Sequence, residues 1–350
     1  MTKSKLIFLG LIFVVVVVLY FNYRYNYSAP KLLFISEREQ LKISISSIES
    51  SPATATPGEY QIIGIYERAP IFRLATEDGE KPSGEGYLSQ NAVVDHLNLV
   101  ELCRKDPSLM VVDIGALLGN CIGYFNQINN FTIVFYFLIG DFGLYAAACG
   151  CQVYMFEIQQ KYISLIQASI SANQFPSSRV HLIQRAVTNA PSNTDMTFSV
   201  RSGQSAISKG KFRVSTIRLD DIDWPESSSI ILLRIDVSGF ELDVLRSAKQ
   251  LFRAKRIHHL IFQYTAWWND RAPQQEVIPY VQKTLGAQEL YVLDRIGATI
   301  YGPLNKQAAR HFYEYHAIKR LQTDVYARFI GSNGTSILDA EPYYLGVSFA

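Results

Sequence analysis

Residues 111–119, VVDIGALLG, form the stretch of sequence that decides the fold. An apolar run ends in Asp113 and is followed by Gly115, which is typical of a buried strand that turns sharply at its end. Four later apolar runs are also predicted to be buried strands: QVYMFE, VHLIQRAV, IILLRIDV and HHLIFQY. Helical stretches such as KYISLIQASISANQ and GFELDVLRSAKQLFRA lie between them. This alternation predicts an α/β fold with a doubly wound, mostly parallel sheet.

Acidic side chains follow three of the predicted strands: Asp113, Glu157 and Asp236. Ligands of such sheets bind beyond the carboxyl ends of the strands, where the strand order reverses. A carboxylate there can accept hydrogen bonds from both hydroxyls of a ribose. Taken alone, each feature is equally typical of an ordinary strand–turn–helix connection, and Glu157 of a helix start. Their order along alternating strands favours a nucleoside site.

Shorter elements surround this pattern. We expect two short strands after residue 60, a helix at residues 91–106 and a hairpin-like segment at residues 196–222. Towards the C-terminus, three further strand candidates complete the sheet in an order that the sequence leaves open: ELYVLDR, ATIYGP and YYLGVSF.

Five segments, taken in order, resemble the methyltransferase domain of the FkbM family: VVDIGALLG, DFGLYAAACGCQVYMFE, VHLIQRAVTN, VSTIRLDDI and IILLRIDVSGFELDVLRSAKQLF. The last two are the most specific. The resemblance covers residues 84–268 and implies a class I, Rossmann-like fold with S-adenosylmethionine as methyl donor. It also implies O-methylation of a hydroxyl on a sugar, a glycan or a small metabolite.

The resemblance also implies roles for single residues. The cofactor loop would contain Asp113, Gly115 and Gly119, and Glu157 would hold the ribose. Arg185 and Ala186 would lie near the adenine, and Asp236 would face the methyl-transfer region as a base or as a residue that orients the acceptor. No metal ion is implied.

Other polar and aromatic residues near these segments have more ordinary interpretations. Glu241 is a second candidate base, but its helical spacing predicts a solvent-facing acid. Asp220 and Asp221 are predicted to cap or terminate a strand rather than to take part in chemistry. Trp267 and Trp268 could stack on a sugar or belong to the core.

Three residues depart from the family pattern. The family usually has Asn where Leu117 stands, and Lys and Glu where Arg234 and Ser238 stand.

Two alternative functions therefore stay open. One is a catalytically inactive, membrane-tethered relative that acts as a binding module. The other is a different nucleotide-binding Rossmann-like enzyme, although the first strand lacks its GxGxxG turn.

The N-terminus predicts a membrane anchor. Residues 6–21 carry no charge and follow Lys3 and Lys5, so we expect a signal anchor at residues 1–27, with a cleaved signal peptide as the alternative. A stalk at residues 28–58 and a methyltransferase domain at residues 59–350 would follow. The charge distribution predicts a cytosolic N-terminus and a lumenal domain in the secretory pathway, with the Golgi as one candidate. Sequons at Asn26, Asn130 and Asn333 permit glycosylation there.

Composition narrows the class of partner. The net charge is +2 without a long basic run, which argues against a nucleic-acid partner and favours a small molecule or a glycan. Four cysteines are too few for a disulfide framework, and no Cys or His spacing is typical of a zinc site.

The segment at residues 120–140, NCIGYFNQINNFTIVFYFLIG, interrupts the resemblance. In the family the cofactor loop leads directly into its helix. Asp113 and Glu157 lie 44 positions apart here, and 23 remain once residues 120–140 are removed, a suitable length for one loop, one helix and the next strand. The apolar core of the segment is too short for a second membrane span. A genuine elaboration of the loop is one interpretation, and a retained intron is the one we favour.

The intron hypothesis predicts transcripts that lack the codons for residues 120–140. Its basis is the excess of residues with A/T-rich codons and the clean excision. Sequencing of transcripts across Gly119 and Asp141 checks it, and consistent presence of all of these codons contradicts it.

Overall fold

A computed structural model describes residues 42–49, 60–65, 69–76, 88–116, 127–128, 131–132, 140–201, 204–207, 212–226, 228–294, 298–329 and 339–343. Leu117, Gly119, the predicted membrane anchor and most of residues 120–140 lie outside the described residues. Within the described residues, no helix is long and apolar enough to cross a bilayer.

The strands are β1 (Gln61–Ile65), β2 (Phe72–Thr76), β3 (Met110–Ile114), β4 (Gln127–Ile128), β5 (Phe131–Thr132), β6 (Gln152–Phe156), β7 (Val180–Ile183), β8 (Ala186–Val187), β9 (Asp195–Arg201), β10 (Gln204–Ile207), β11 (Phe212–Ile217), β12 (Ile230–Ile235), β13 (Ile257–Thr265), β14 (Glu289–Leu293), β15 (Ile300–Tyr301) and β16 (Gln322–Arg328).

The helices are α1 (Leu88–Leu97), α2 (Leu99–Lys105), α3 (Asp141–Cys149), α4 (Gln160–Asn173), α5 (Glu241–Ser247), α6 (Lys249–Arg253), α7 (Val277–Pro279) and α8 (Lys306–Lys319). Short 3-10 helices lie at Ile45–Ser47, Leu219–Asp221 and Gln274–Glu276, and a π-helix at Tyr280–Thr284.

Eight strands form a central sheet in the order β15-β14-β16-β13-β12-β3-β6-β7. The run from β7 to β13 is parallel throughout and has the strand order 3-2-1-4-5 of doubly wound folds. The last strand, β16, lies between β13 and β14 and is antiparallel to both. This arrangement confirms the predicted Rossmann-like, mostly parallel sheet.

Side chains of β3 alternate between two cores because successive residues of a strand point to opposite faces. Met110, Val112 and Ile114 belong to one buried cluster, and Val111 belongs to the other. Residues of α1 to α4 pack in the cluster of Val111, and residues of α5, α6 and α8 pack in the other. Helices therefore cover both faces of the sheet, which is why every residue of β3 is buried.

The observed strands and helices differ from the predicted ones at several places. VHLIQRAV divides into β7 and β8, and β8 pairs with β11 in a separate sheet of order β10-β9-β11-β8. The predicted helix at residues 91–106 divides at Asn98, which adopts a left-handed conformation with φ 51°. The strand β16 was not predicted, because its sequence QTDVYAR is not an apolar run. YYLGVSF lies outside the described residues after Tyr343.

Residues 42–49 pack on the domain, although they fall within the predicted stalk. Ile43 forms a parallel bridge with Ile222, and the side chain of Ile48 is buried in the core. The Lys42 ammonium donates to the backbone carbonyl of Asp220. Residues 42–49 are thus part of the folded unit, and their three isoleucines at 43, 45 and 48 supply the apolar contact.

A disulfide joins Cys103 at the end of α2 to Cys151 just before β6, with 4.9 Å between the Cα atoms. This pair is not evident from the sequence, because the two residues are 48 positions apart in the chain. They meet because Gln152 N donates to Leu109 O at 3.1 Å, where β3 and β6 begin side by side. Cys149, which is also buried, does not take part in this disulfide.

Reduction of the disulfide should lower the free energy of unfolding. A bridge that closes a loop of 48 residues stabilises the fold by about 4 kcal/mol in the chain-entropy description. Urea denaturation with and without dithiothreitol measures the difference. Cys103→Ser is the control, because reductant should not change its stability further. Equal midpoints for the oxidised and the reduced wild type would contradict the expectation.

Candidate functional site

The strand order of the central sheet reverses between β3 and β12. After β3 the chain continues to β6 on one side, and after β12 it continues to β13 on the other. The two strands are paired in register, with Asp113 opposite Arg234 and Ile114 opposite Ile235. Such a switch point opens a crevice at the carboxyl ends of the strands, which is where doubly wound folds bind ligands.

Arg234 links the two acids of this crevice. Its Nη1 donates to Asp113 Oδ1 at 2.9 Å and its Nη2 to Asp236 Oδ2 at 3.2 Å. Each of the three side chains is at most 2% exposed. A buried guanidinium between two carboxylates gives charge-assisted hydrogen bonds and leaves the group with a formal charge of about −1. The resemblance assigned Asp113 to the cofactor loop and Asp236 to the methyl-transfer region, and the structure brings the two together through Arg234.

We call the edge of the sheet at the carboxyl ends of β7, β6, β3, β12 and β13 the rim. The polar network extends along this rim beyond Asp113 and Asp236. Arg234 Nε donates to Gln90 Oε1 at 3.4 Å, and Gln90 Nε2 donates to Asp324 Oδ2 at 2.6 Å. Gln90 lies in α1 and Asp324 in β16, and both are buried. Sequence reasoning missed both residues, because neither belongs to a motif and because β16 was not predicted.

Asp113 has one buried atom that remains unsatisfied. Its Oδ2 has no hydrogen-bond partner among the described residues. A buried carboxylate oxygen usually accepts a hydrogen bond, because burial without one costs desolvation free energy. An N–H group or a cation of a ligand beside Oδ2 would compensate for this cost.

Gly115 makes the turn at the end of β3. Its φ is +78°, and a Cβ there would lie 2.0 Å from the backbone oxygen of Asp236. Its N–H donates to Phe156 O at 3.0 Å. Only glycine can adopt this conformation so close to the end of β12. The predicted role of Gly115 as a tight-turn residue is therefore supported by its geometry.

The described chain leaves the rim at Ala116 and returns at Gly140. Gly140 N donates to Ala116 O at 2.7 Å, and α3 begins at the next residue. The predicted cofactor residue Gly119 lies between these points and outside the described residues.

Glu157 follows β6 on the same rim. Its Oε1 accepts from the N–H groups of Ile158 and Gln159, both at 2.8 Å, and the side chain is buried. Glu157 N donates to Ile183 O at 3.2 Å, which ties it to the end of β7. The carboxylate is thus held in one orientation at the strand end where the sequence placed it.

Arg185 and Ala186 lie one strand farther out, after β7. Arg185 Nη1 donates to Asn193 Oδ1 at 3.1 Å, and Ala186 is buried where β8 pairs with Thr216. The Arg185 side chain is therefore bonded to the loop that precedes β9.

The loop after β12 is built around Glu241, which is 1% exposed and is not the predicted surface acid. Its Oε1 accepts from Val237 N at 3.1 Å and from Gly239 N at 3.0 Å. Burial raises the pKa of the Glu241 carboxyl to about 7, and the charge of Asp236 adds to this effect. Glu241 therefore holds the loop that begins with Asp236. The burial of Glu241 was not predicted, because helical spacing alone does not show which side of α5 the preceding loop covers.

Residues after β13 fix the same loop from outside. Arg271 Nη1 donates to Ser238 O, and Gln274 Nε2 donates to Gly239 O at 2.7 Å. The Arg271 guanidinium lies 3.8 Å from the ring centre of Trp268, which is buried. Trp268 is accordingly a core residue of this contact, the second of the two interpretations that the sequence allowed.

Asp220 and Asp221 have structural partners. Asp220 accepts from the N–H groups of Gln250 and Leu251 at the start of α6, so it caps a helix rather than the predicted strand. Asp221 Oδ2 accepts from the Ser192 hydroxyl at 2.5 Å. No group of three or more His, Cys, Asp or Glu among the described residues could hold a metal ion.

Solved structures with a related arrangement include the N-terminal domain of human METTL16 (TM-score 0.35, 11% identity, covering 69% of this chain and 70% of that one). The human methyltransferase 10 domain containing protein has a TM-score of 0.34 and 10% identity, covering 71% and 85%. SMU.1697c from Streptococcus mutans, in complex with SAH, has a TM-score of 0.31 and 13% identity, covering 65% and 96%. These values are too low to support a functional argument.

No curated protein matches the sequence. The Methyltransferase FkbM domain family matches residues 113–288, which include the last two residues of β3, all of β12, Glu157 and the Asp236 loop. This match spans half of the 350-residue chain. The chain therefore belongs to the FkbM methyltransferase domain family.

Proposed function

We propose that this protein transfers a methyl group from S-adenosylmethionine to a hydroxyl of a sugar, a glycan or a small metabolite. The observation that carries the proposal is the buried Asp113–Arg234–Asp236 cluster at the switch point, with Glu157 on the neighbouring strand end. Membership of a methyltransferase family supports the reaction class. The hydroxyl acceptor rests on the resemblance alone.

The residues of the rim fit a nucleoside cofactor. Glu157 is held rigidly where a ribose would present its two hydroxyl donors. The unsatisfied Oδ2 of Asp113 is suited to an N–H donor or to a positive charge, and Gly115 lets the backbone turn without a side chain. Arg185 and Ala186 would border the adenine through their backbone. When bound, the cofactor supplies a methyl group that its sulfonium already activates.

The contribution of the protein would then be alignment of the acceptor oxygen with that methyl group. Asp236 is tied to Arg234, which stays protonated at any physiological pH. This pairing suits Asp236 to orienting an acceptor hydroxyl better than to removing its proton. Glu241 is enclosed by the loop that it supports, so we assign it to positioning Asp236.

We also propose that the domain lies in the lumen of the secretory pathway, attached by the predicted anchor at residues 1–27. Support comes from the Cys103–Cys151 bridge, because structural disulfides form and persist in oxidising compartments.

A second candidate function is a membrane-tethered binding module without methyltransferase activity. It is favoured by Leu117 and by the segment at residues 120–140, which interrupts the family resemblance in the loop proposed to hold the cofactor. Binding of the methyl donor distinguishes the two candidates, since a module with a disrupted loop should not bind it.

Glu157→Gln should weaken the binding of S-adenosylhomocysteine about tenfold to a hundredfold. A hydrogen bond to a charged group contributes roughly 1.5–3 kcal/mol, and the amide removes the charge. Isothermal calorimetry on the full-length protein measures the affinity. Glu101→Gln, on the exposed surface of α2, is the control and should bind like the wild type. Equal affinity of the Glu157 variant and the control would contradict the ribose assignment.

Arg234→Met should lower the free energy of unfolding by about 3–5 kcal/mol, because it leaves Asp113 and Asp236 buried without a counter-charge. Arg234→Lys keeps the charge and should lose less. Urea denaturation of both variants measures this. Arg246→Met is the matched control, since the Arg246–Glu276 pair is partly exposed and should be worth at most about 1 kcal/mol. A loss in Arg234→Met no larger than in the control would overturn the expectation.

A further inference from the structure

The hydrogen bond between Gly140 N and Ala116 O, 2.7 Å long, joins residues 24 positions apart in the sequence. The same pattern, from an N–H to the carbonyl of the third residue before it, closes an ordinary four-residue β-turn. A connection of two residues is therefore long enough to join Ala116 to Gly140 at their observed positions. The chain instead places residues 117–139 between them.

The sequence contains those two residues. Removal of residues 119–139 gives Ala116-Leu117-Leu118-Gly140, in which Gly140 is the third residue after Ala116. Because residues 119 and 140 are both glycine, the product is identical to that of removing residues 120–140. Sequence alone cannot tell which glycine belongs to the turn, and the observed hydrogen bond assigns it to Gly140.

Gly140 also has the environment of a fixed turn residue. It is buried, its φ is +74°, and it is the N-terminal cap of α3. A Cβ there would lie 3.0 Å from both Ile166 Cγ1 in α4 and Met155 Cε in β6. Three residues later, a Cβ at Gly143 would lie 2.8 Å from Met155 Sδ, so the start of α3 packs closely on β6.

We propose that Gly140, and not Gly119, is the second glycine of the loop that positions the methyl donor, and that residues 119–139 are an insertion that the fold does not need. The proposal rests on the proposed function for the identity of the ligand. The structural part of the proposal is that the turn at Gly140 closes without residues 119–139. This part does not depend on the identity of the ligand.

The first experiment compares the full-length protein with the same chain lacking residues 119–139. We expect the shortened chain to unfold at the same temperature or a higher one, because a two-residue connection replaces a long one and costs less loop-closure entropy. We expect it to bind S-adenosylhomocysteine at least as tightly in a calorimetric titration. A shortened chain that is unfolded, or that melts well below the full-length protein, overturns the turn assignment.

The second experiment tests Gly140 directly in the full-length protein. Gly140→Ala should lower Tm by roughly 2–8 °C, since a left-handed alanine is strained, and should also weaken binding of S-adenosylhomocysteine at least tenfold. Gly286→Ala is the matched control: Gly286 has φ +82°, nothing lies within 4 Å of its Cβ position, and it precedes β14 at the opposite edge of the sheet. It should lower Tm comparably and leave binding unchanged. If Gly140→Ala binds as well as Gly286→Ala, the assignment of Gly140 to the donor loop fails.

The two readouts separate the possible failures. A shortened chain that folds with undiminished Tm while neither form binds S-adenosylhomocysteine refutes the proposed function and the donor role of Gly140, and leaves the turn intact. A full-length protein that binds, together with a shortened chain that does not fold, refutes the turn and supports the proposed function.

Discussion

The guanidinium of Arg234 lies where the two halves of the sheet meet, and much of the rim depends on it. It bonds to Asp113 in β3, to Asp236 directly after β12, to the carbonyl of Gly115 and to Gln90 of α1. Two buried carboxylates so close together would repel each other without this charge. A single side chain therefore fixes the separation of the strand ends, the turn after β3 and the start of the Asp236 loop. Lysine, the usual residue of the family here, is a point charge and could not bond to all of these groups with the same planar geometry.

The parts of the fold that the sequence predicts are those in which burial alone determines the pattern. A strand such as β3 is covered on both faces and buried at every position, so its sequence is an apolar run in which Asp113 is the one polar residue. The positions of Asp113, Glu157 and Asp236 on one rim follow from the same runs, because parallel strands end at the same edge of a sheet. The strand β16 is hidden from this reasoning, since Asp324 and Thr323 are buried polar residues within it whose partners come from other elements.

The features that the sequence did not predict are contacts between residues far apart in the chain. Glu241 has the spacing of an exposed helical residue, yet the backbone of the preceding loop folds over it and buries it. Cys103 and Cys151 meet only once β3 and β6 are paired. The proposed assignment of the turn to Gly140 has the same basis, because the hydrogen bond from Gly140 N to Ala116 O joins residues 24 positions apart in the sequence.

The docking of residues 42–49 on the domain sets how far the site could stand from a bilayer. If the predicted anchor ends at residue 27, only residues 28–41 remain to bridge the gap, and fully extended they reach about 50 Å. A free stalk as far as residue 58 would have allowed roughly twice that distance. With such an anchor, the hydrogen bond of Lys42 and the buried Ile48 would shorten the tether, and acceptors close to the membrane surface would be favoured over distant ones.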